Sequence, residues 1–150
     1  MSKTVSLCAM IVASAALLTI SLAAPWALGD ARNTFLKNFV NHEMLSFLGV
    51  VVTITLASAA SLHLELNKLE EAAGGRVFIM TRRRIHMSAY ALIWALVLAV
   101  GLVTAKPLLG DSDVATSLAN SLAVIIILFN VLVLADLTKA TFSLEPNFKE

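Results

Sequence analysis

Charged residues are missing from four long stretches of this sequence. No Asp, Glu, Lys or Arg occurs in residues 4–29, 44–64, 85–105 or 114–135. Each stretch is long enough to cross a bilayer, whose hydrocarbon core takes about 20 residues of apolar helix. Charged residues make up 14% of the chain and apolar residues 59%, against about 25% and 45–50% in soluble domains. The sequence therefore predicts an all-α integral membrane protein with four transmembrane helices, and not a soluble enzyme.

Cysteine and the common catalytic motifs are also scarce. Cys8 is the single cysteine, which excludes an internal disulfide and a CxxC redox pair. The sequence has no GxSxG or HExxH motif and no glycine-rich phosphate loop, so we expect no catalytic residues and neither a cofactor nor a metal ion. The net charge of +1 is too small for the basic field that nucleic acid binding requires, so we expect no nucleic acid partner.

The apolar stretches and their flanking residues set the predicted bounds of one membrane domain. We predict transmembrane helices over 5–24, 44–73, 77–105 and 114–136, followed by a cytoplasmic tail over 137–150. A short amphipathic helix precedes the second span, because Phe35, Leu36, Phe39 and Val40 recur at helical spacing. The first span is longer than the apolar segment of about 7–15 residues in a signal peptide, so we expect it to be retained.

The basic residues predict the orientation of the helices. With the N-terminus inside, the cytoplasmic segments hold eight Lys and Arg residues: Lys3, Lys68, Arg76, Arg82, Arg83, Arg84, Lys139 and Lys149. The opposite side holds Arg32, Lys37 and Lys106. Basic residues concentrate on the cytoplasmic side of membrane proteins. We therefore predict that both termini are cytoplasmic, in what we expect to be a bacterial inner membrane.

The second and third helices are predicted to form a long hairpin that projects into the cytoplasm. After Leu64 the sequence still reads as helix until Gly74 and Gly75, which are typical of a helix end. The hairpin carries charges of both signs, at Glu65, Lys68, Glu70, Glu71, Arg76, Arg82, Arg83 and Arg84. One interpretation is a solvated stem whose arginines fix topology and touch anionic lipid. The other is a docking surface for a cytosolic protein.

Two rows of small residues predict close helix packing. On the second helix the row consists of Gly49, Thr53, Ala57 and Ser61, and on the third of Ala91, Ala95 and Ala99. Small side chains let helix backbones approach closely in lipid, where packing drives association. Several such rows on four helices offer more packing surface than one bundle uses, so we also expect a homo-oligomer.

The remaining polar residues leave alternatives open. His63 and His86 lie at the inner ends of adjacent helices, where they either cap and hydrogen-bond or face each other and hold a metal ion with Glu65. Asn120 and Asn130 share one face of the fourth helix. Such residues form hydrogen bonds between helices, or they line a pore made by several subunits, with Asp136 at its inner mouth. No carboxylate lies at mid-membrane, which weighs against proton-coupled transport.

Two classes of function follow. The first is a non-catalytic membrane subunit of an oligomeric complex, which anchors or signals to a cytosolic partner. The second is a homo-oligomeric ion channel that conducts or depolarises the membrane. The layout of four spans with a basic central cytoplasmic loop resembles the tetraspan membrane components of some bacterial antiviral defence systems. This resemblance lies in architecture, and architecture alone does not define function.

Overall fold

Helices account for nearly all of the structure. A computed structural model describes residues 3–73, 78–110 and 112–142, and no strand occurs in these ranges. The elements are α1 (Lys3–Ala23), α2 (Pro25–Leu28), α3 (Thr34–Phe39), α4 (His42–Ala73), α5 (Ile79–Ala105), a 3-10 turn (Lys106–Leu109) and α6 (Asp113–Phe142). Helices α1, α4, α5 and α6 are long and apolar enough to cross a membrane. The prediction of an all-α protein with four candidate membrane spans is confirmed.

The long helices begin and end within two residues of their predicted bounds, with one exception. Helix α6 continues to Phe142, through the first six residues of the predicted tail. No Gly or Pro interrupts residues 137–142, and the next Pro is at position 146, so nothing in the sequence stops the helix at Asp136. Residues 143–150 of the tail, residue 77 at the predicted start of the third helix, and Gly74, Gly75 and Arg76 lie outside the described residues.

The segment predicted as an amphipathic helix contains α3. Its N-terminus is capped by Asn33, whose Oδ1 accepts a hydrogen bond from the backbone N–H of Leu36 at 3.0 Å. Asparagine is among the preferred N-cap residues because it satisfies an N–H that the helix leaves free. Leu36 and Val40 are buried in the core. This face of the short helix therefore packs on the bundle.

The core lies between α4, α5 and α6 and has two parts. Near the N-terminal end of α4, Met44 and Leu48 pack with Ala95 and Ala99 of α5 and with Ala123 of α6. The second part surrounds Leu62, Leu66, Ile85, Leu92 and Leu137. In the first part large side chains of α4 meet alanines of α5 and α6, an alternation of large and small side chains that fills the space between helices. The second part is formed mainly by leucine and isoleucine side chains.

Helix α1 is peripheral. It contacts α6 and α2, and only 6% of its most apolar 18-residue window is buried. Ser21 is its one buried residue among those with described side chains. Its first half leaves an apolar groove of about 480 Å³ against α6, lined by Leu7, Met10, Phe129 and Leu132 among others. The attachment of α1 is therefore concentrated near its C-terminal end.

Gly29, the residue after α2, lies close to the start of α6. A Cβ atom at this position would lie 2.9 Å from the carbonyl oxygen of Pro25 and 3.3 Å from that of Asp113. Either carbonyl oxygen could move away from such a Cβ atom only if the end of its helix shifted. Gly29 is buried, and its small size lets the segment reach α6.

We therefore expect Gly29→Ala to lower the free energy of unfolding by about 1–3 kcal/mol, the range for overpacked interiors. The matched control is Gly101→Ala, because no atom lies within 4 Å of a Cβ built at Gly101. In a helix interior, alanine is favoured over glycine by about 0.5–1 kcal/mol, so this variant should unfold no more easily than the parent. Thermal unfolding of the three proteins in one detergent checks the difference. Equal midpoints for Gly29→Ala and the parent would contradict the close contact.

Candidate functional site

Glu70 organises the end of the α4–α5 hairpin. Its Oε1 accepts a hydrogen bond at 2.9 Å from the backbone N–H of Phe78, the residue before α5. Its Oε2 lies 2.6 Å from Nη2 of Arg82, which also donates to Oδ1 of Asn67. Hydrogen bonds between ionised partners are stronger than neutral ones. A single carboxylate thus satisfies an N–H at the start of α5 and ties α5 to α4.

The charged side chains of the hairpin either pair within it or are exposed to the surroundings. Of the eight residues predicted to dock a partner, Glu70 and Arg82 are occupied within the hairpin, whereas Arg76 lies outside the described residues. Glu65, Lys68, Glu71 and Arg83 are exposed. With Arg84, which is also exposed, this group carries two acidic and three basic side chains on the two helices of the hairpin. The hairpin therefore offers a surface of mixed charge.

Arg84 connects the hairpin to α6. Its Nη2 lies 3.5 Å from Oδ1 of Asp136, and the two side chains are 52% and 46% exposed. Ion pairs with this exposure contribute little, with a median of about 0–1 kcal/mol. Asp136, which the channel interpretation places at a pore mouth, thus lies beside an arginine of its own chain.

His63 and His86 face each other across the hairpin. The centroids of their rings are 5.3 Å apart, and the ring planes differ by 32°. The Nδ1 atom of His63 is buried and has no hydrogen-bond partner among the described residues. Glu65 is exposed, and no group of three or more His, Cys, Asp or Glu side chains in the described part of the chain is placed to hold a metal ion. Glu65, the carboxylate that one interpretation of the sequence added to this site, therefore does not join the two histidines.

A second polar cluster lies at the opposite end of the bundle. Asn120 of α6 is fully buried, and its Nδ2 donates to the carbonyl oxygen of Leu28 at 2.7 Å and to Oδ1 of Asp30 at 2.9 Å. The same Asp30 oxygen lies 3.1 Å from Nζ of Lys106, whose side chain is 9% exposed. Asn120 and the ion pair together hold the segment after α2 against α6 and the 3-10 turn.

Asn130 is also buried, but it bonds within its own helix. It is 1% exposed, and its Nδ2 donates to the carbonyl oxygen of Ile126 at 2.8 Å. Pore lining requires contact with water, whereas Asn120 and Asn130 both point into the interior of one chain. This placement favours hydrogen bonding between segments for Asn120 over a pore-lining role for either residue.

The two rows of small residues are placed differently. Ala95 and Ala99 are buried and Ala91 is partly buried, whereas Thr53, Ala57 and Ser61 are exposed and Gly49 is partly buried. Strict four-residue spacing drifts around a helix that repeats every 3.6 residues. The buried line of α4 instead alternates steps of four and three, through Leu48, Val52, Thr55, Ala59, Leu62 and Leu66. The Gly49 row is therefore not the main packing face within the chain, and its use between copies stays a prediction.

Hydroxyl contacts between α1 and α6 were missed by the sequence reasoning. Oγ of Ser21 lies 2.5 Å from Oγ of Ser121 and donates to the carbonyl oxygen of Ser117 at 3.2 Å. The hydroxyl of Ser121 also donates to the carbonyl oxygen of Leu17 at 3.4 Å. A signal was present in the sequence: Thr116, Ser117, Asn120 and Ser121 put four polar residues on one face of the most hydrophobic helix, and in lipid such a face needs partners.

Comparisons of this chain with models of protein families, with curated proteins and with solved structures found no match. Among the described residues, polar side chains form one cluster around Glu70 at the end of the hairpin and another around Asn120. The first leaves charged side chains at the surface, whereas the second is largely closed. The hairpin end is the candidate functional site.

Adjacent glutamates should differ in their effect on stability. Glu70→Ala removes the acceptor for the N–H of Phe78, and loss of a capping side chain costs about 0.5–2 kcal/mol. The control Glu71→Ala changes an exposed residue and should stay within about 0.5 kcal/mol of the parent. Chemical unfolding of purified protein in detergent measures both values. A Glu70→Ala protein as stable as Glu71→Ala would refute the structural role of Glu70.

The two asparagines of α6 should also differ. Asn120→Leu removes hydrogen bonds to another segment, and such bonds in membranes contribute about 0.6–2 kcal/mol. Asn130→Leu removes only a bond within α6, so the loss should be smaller. Unfolding free energies in one detergent decide between the two roles. If Asn130→Leu is the more destabilising change, the contacts of Asn120 do not hold the segment after α2 against α6.

Proposed function

We propose that this protein is a non-catalytic subunit of an oligomeric membrane complex, which anchors or signals to a cytosolic protein through the end of the α4–α5 hairpin. The arrangement of Glu70 carries the proposal. It orders the hairpin end through Phe78 and Arg82, while Glu65, Lys68 and other charged side chains stay exposed. A surface that is ordered before binding loses less entropy when a partner docks.

The length of the hairpin supports a position outside the bilayer. Helix α4 has 32 residues, or about 48 Å at 1.5 Å per residue, and a hydrocarbon core is about 30 Å thick. Residues 44–64 carry no charge and fill that core. The remaining turns, from Glu65 onward, then extend beyond it. The stem also bears the arginines of the chain's most basic segment, which supports a cytoplasmic position for the stem and for both termini.

The proposal also covers the membrane in which the protein lies and the kind of complex to which it belongs. The bias of basic residues supports a bacterial inner membrane with the hairpin on the cytoplasmic side. The resemblance of the layout to tetraspan components of antiviral defence systems supports a role in such a complex. Exposed small residues on α4, among them Thr53, Ala57 and Ser61, support association of several copies through close helix contact.

The alternative is a channel formed by several copies. Asn120 and Asn130 are the polar residues of α6 that would line it, and both are buried within one chain at 0% and 1% exposure. A conducting path along these side chains therefore requires α6 to turn toward a shared axis. This cost makes the docking function the better supported of the two.

Reversal of the exposed acidic charges tests the docking function. The variant Glu65→Lys/Glu71→Lys leaves Glu70 and its contacts intact and presents like charge to the partner, an arrangement that costs several kcal/mol at an interface. A loss of about 1.4 kcal/mol already weakens binding tenfold. We therefore expect at least a tenfold weaker complex with the soluble protein that co-purifies with the parent, measured with both partners purified.

The matched control is Glu43→Lys, which changes an exposed acidic residue at the opposite end of α4. Both variants should keep the parent's orientation, oligomer size and thermal stability, so that only partner binding differs. Unchanged affinity of the Glu65→Lys/Glu71→Lys variant would remove the hairpin end as the docking surface. Single-channel currents from the purified parent alone, with altered cation preference in Asn130→Asp, would replace the proposal with the channel.

A further inference from the structure

The two helices of the hairpin run in register around His63 and His86. Arg82 of α5 bonds to Asn67 of α4. One helical turn away, four residues along each helix, the ring of His86 lies 5.3 Å from that of His63. Residues four apart share a helix face, so the same faces of α4 and α5 meet at both levels. The contact between α4 and α5 therefore places His63 beside His86.

The distance between the rings suits one shared metal ion. Histidine nitrogens bind zinc at about 2.0–2.1 Å, and a tetrahedral angle between two such bonds puts the ring centroids roughly 5 Å apart. The 5.3 Å separation of the two ring centroids is close to this value. Neutral imidazole is also the most frequent protein ligand of zinc, copper and nickel.

The surroundings of the pair are compatible with a cation. Arg82 lies one turn from His86 on α5, and its charge is balanced by Glu70 at 2.6 Å. Arg84, two residues from His86, lies 3.5 Å from Asp136. The buried Nδ1 of His63 accepts no hydrogen bond from any described residue, so a lone pair remains for coordination. We propose that His63 and His86 together bind a divalent transition-metal ion of the zinc class, with water in the remaining coordination positions.

A bound ion would join α4 and α5 one turn closer to the membrane than the contact of Glu70 and Arg82. Metal binding to the folded hairpin stabilises it by linkage, because the separated helices do not present both rings together. The ion would therefore stiffen the stem whose end is the candidate docking surface. The inference does not depend on that function, since metal binding is measured on the isolated protein.

Zinc binding to purified protein, carrying a purification tag without histidine, tests the inference. We expect one Zn²⁺ per chain by equilibrium dialysis and a rise in the thermal midpoint on addition of ZnCl₂. Copper should bind more tightly than zinc, in keeping with the order of stability of divalent ions, and Mg²⁺ should have no effect. Either His63→Gln or His86→Gln should weaken zinc binding by at least about tenfold, since loss of even an outer partner costs a metal site about 10–100-fold.

The chain supplies two matched controls. His42→Gln removes the third histidine, outside the hairpin contact, and Cys8→Ser removes the exposed thiol of α1. Both should retain parental zinc binding. Dialysis reports binding independently of stability, so a less stable His63→Gln protein still gives an answer. No stoichiometric binding by the parent, or equal binding by His63→Gln and His42→Gln, would overturn the inference.

Discussion

Apolar side chains gain little when they leave lipid for another apolar surface, so hydrogen bonds and close backbone contacts decide how helices associate in a bilayer. In this chain both are concentrated on the first turns of α6. Ser117, Asn120 and Ser121 are fully buried there, with partners on α1 and in the segment after α2. Gly29 approaches the same turns closely. The positions of α1 and of the segment after α2 depend on this one polar face.

The number and extent of the long helices could be predicted from the sequence, because absence of charge and a minimum length are properties of single segments. The packing faces could not. A helix that is apolar all round carries no periodic signal for the side that faces protein. The sequence predicts close packing at Ala57, whereas the structure exposes Ala57 and buries Leu48, which packs with alanines of α5 and α6. Pairing of large with small is a property of two helices together.

The candidate site was predictable as a region but not residue by residue. The sequence indicates a charged hairpin, yet it treats Glu70 and Glu71 alike. Successive residues point about 100° apart on a helix, which turns one carboxylate toward Arg82 and the other toward solvent. The sequence left the facing of His63 and His86 as one of two alternatives, and Glu65, which it added to the pair, is exposed. The register between α4 and α5 decides which of these side chains meet across the hairpin.

Unequal attachment of the helices divides the molecule into cooperative units of different strength. Helix α1 is joined to α6 by hydroxyl contacts of Ser21, with little apolar burial along the rest of its length. Separation of α4 from α5, by contrast, opens both parts of the core. Regions with few buried contacts open first, at a lower free energy than the whole fold. We therefore expect α1 to separate laterally from α6 before the three-helix core is lost, so that its amides exchange first while α4, α5 and α6 stay assembled.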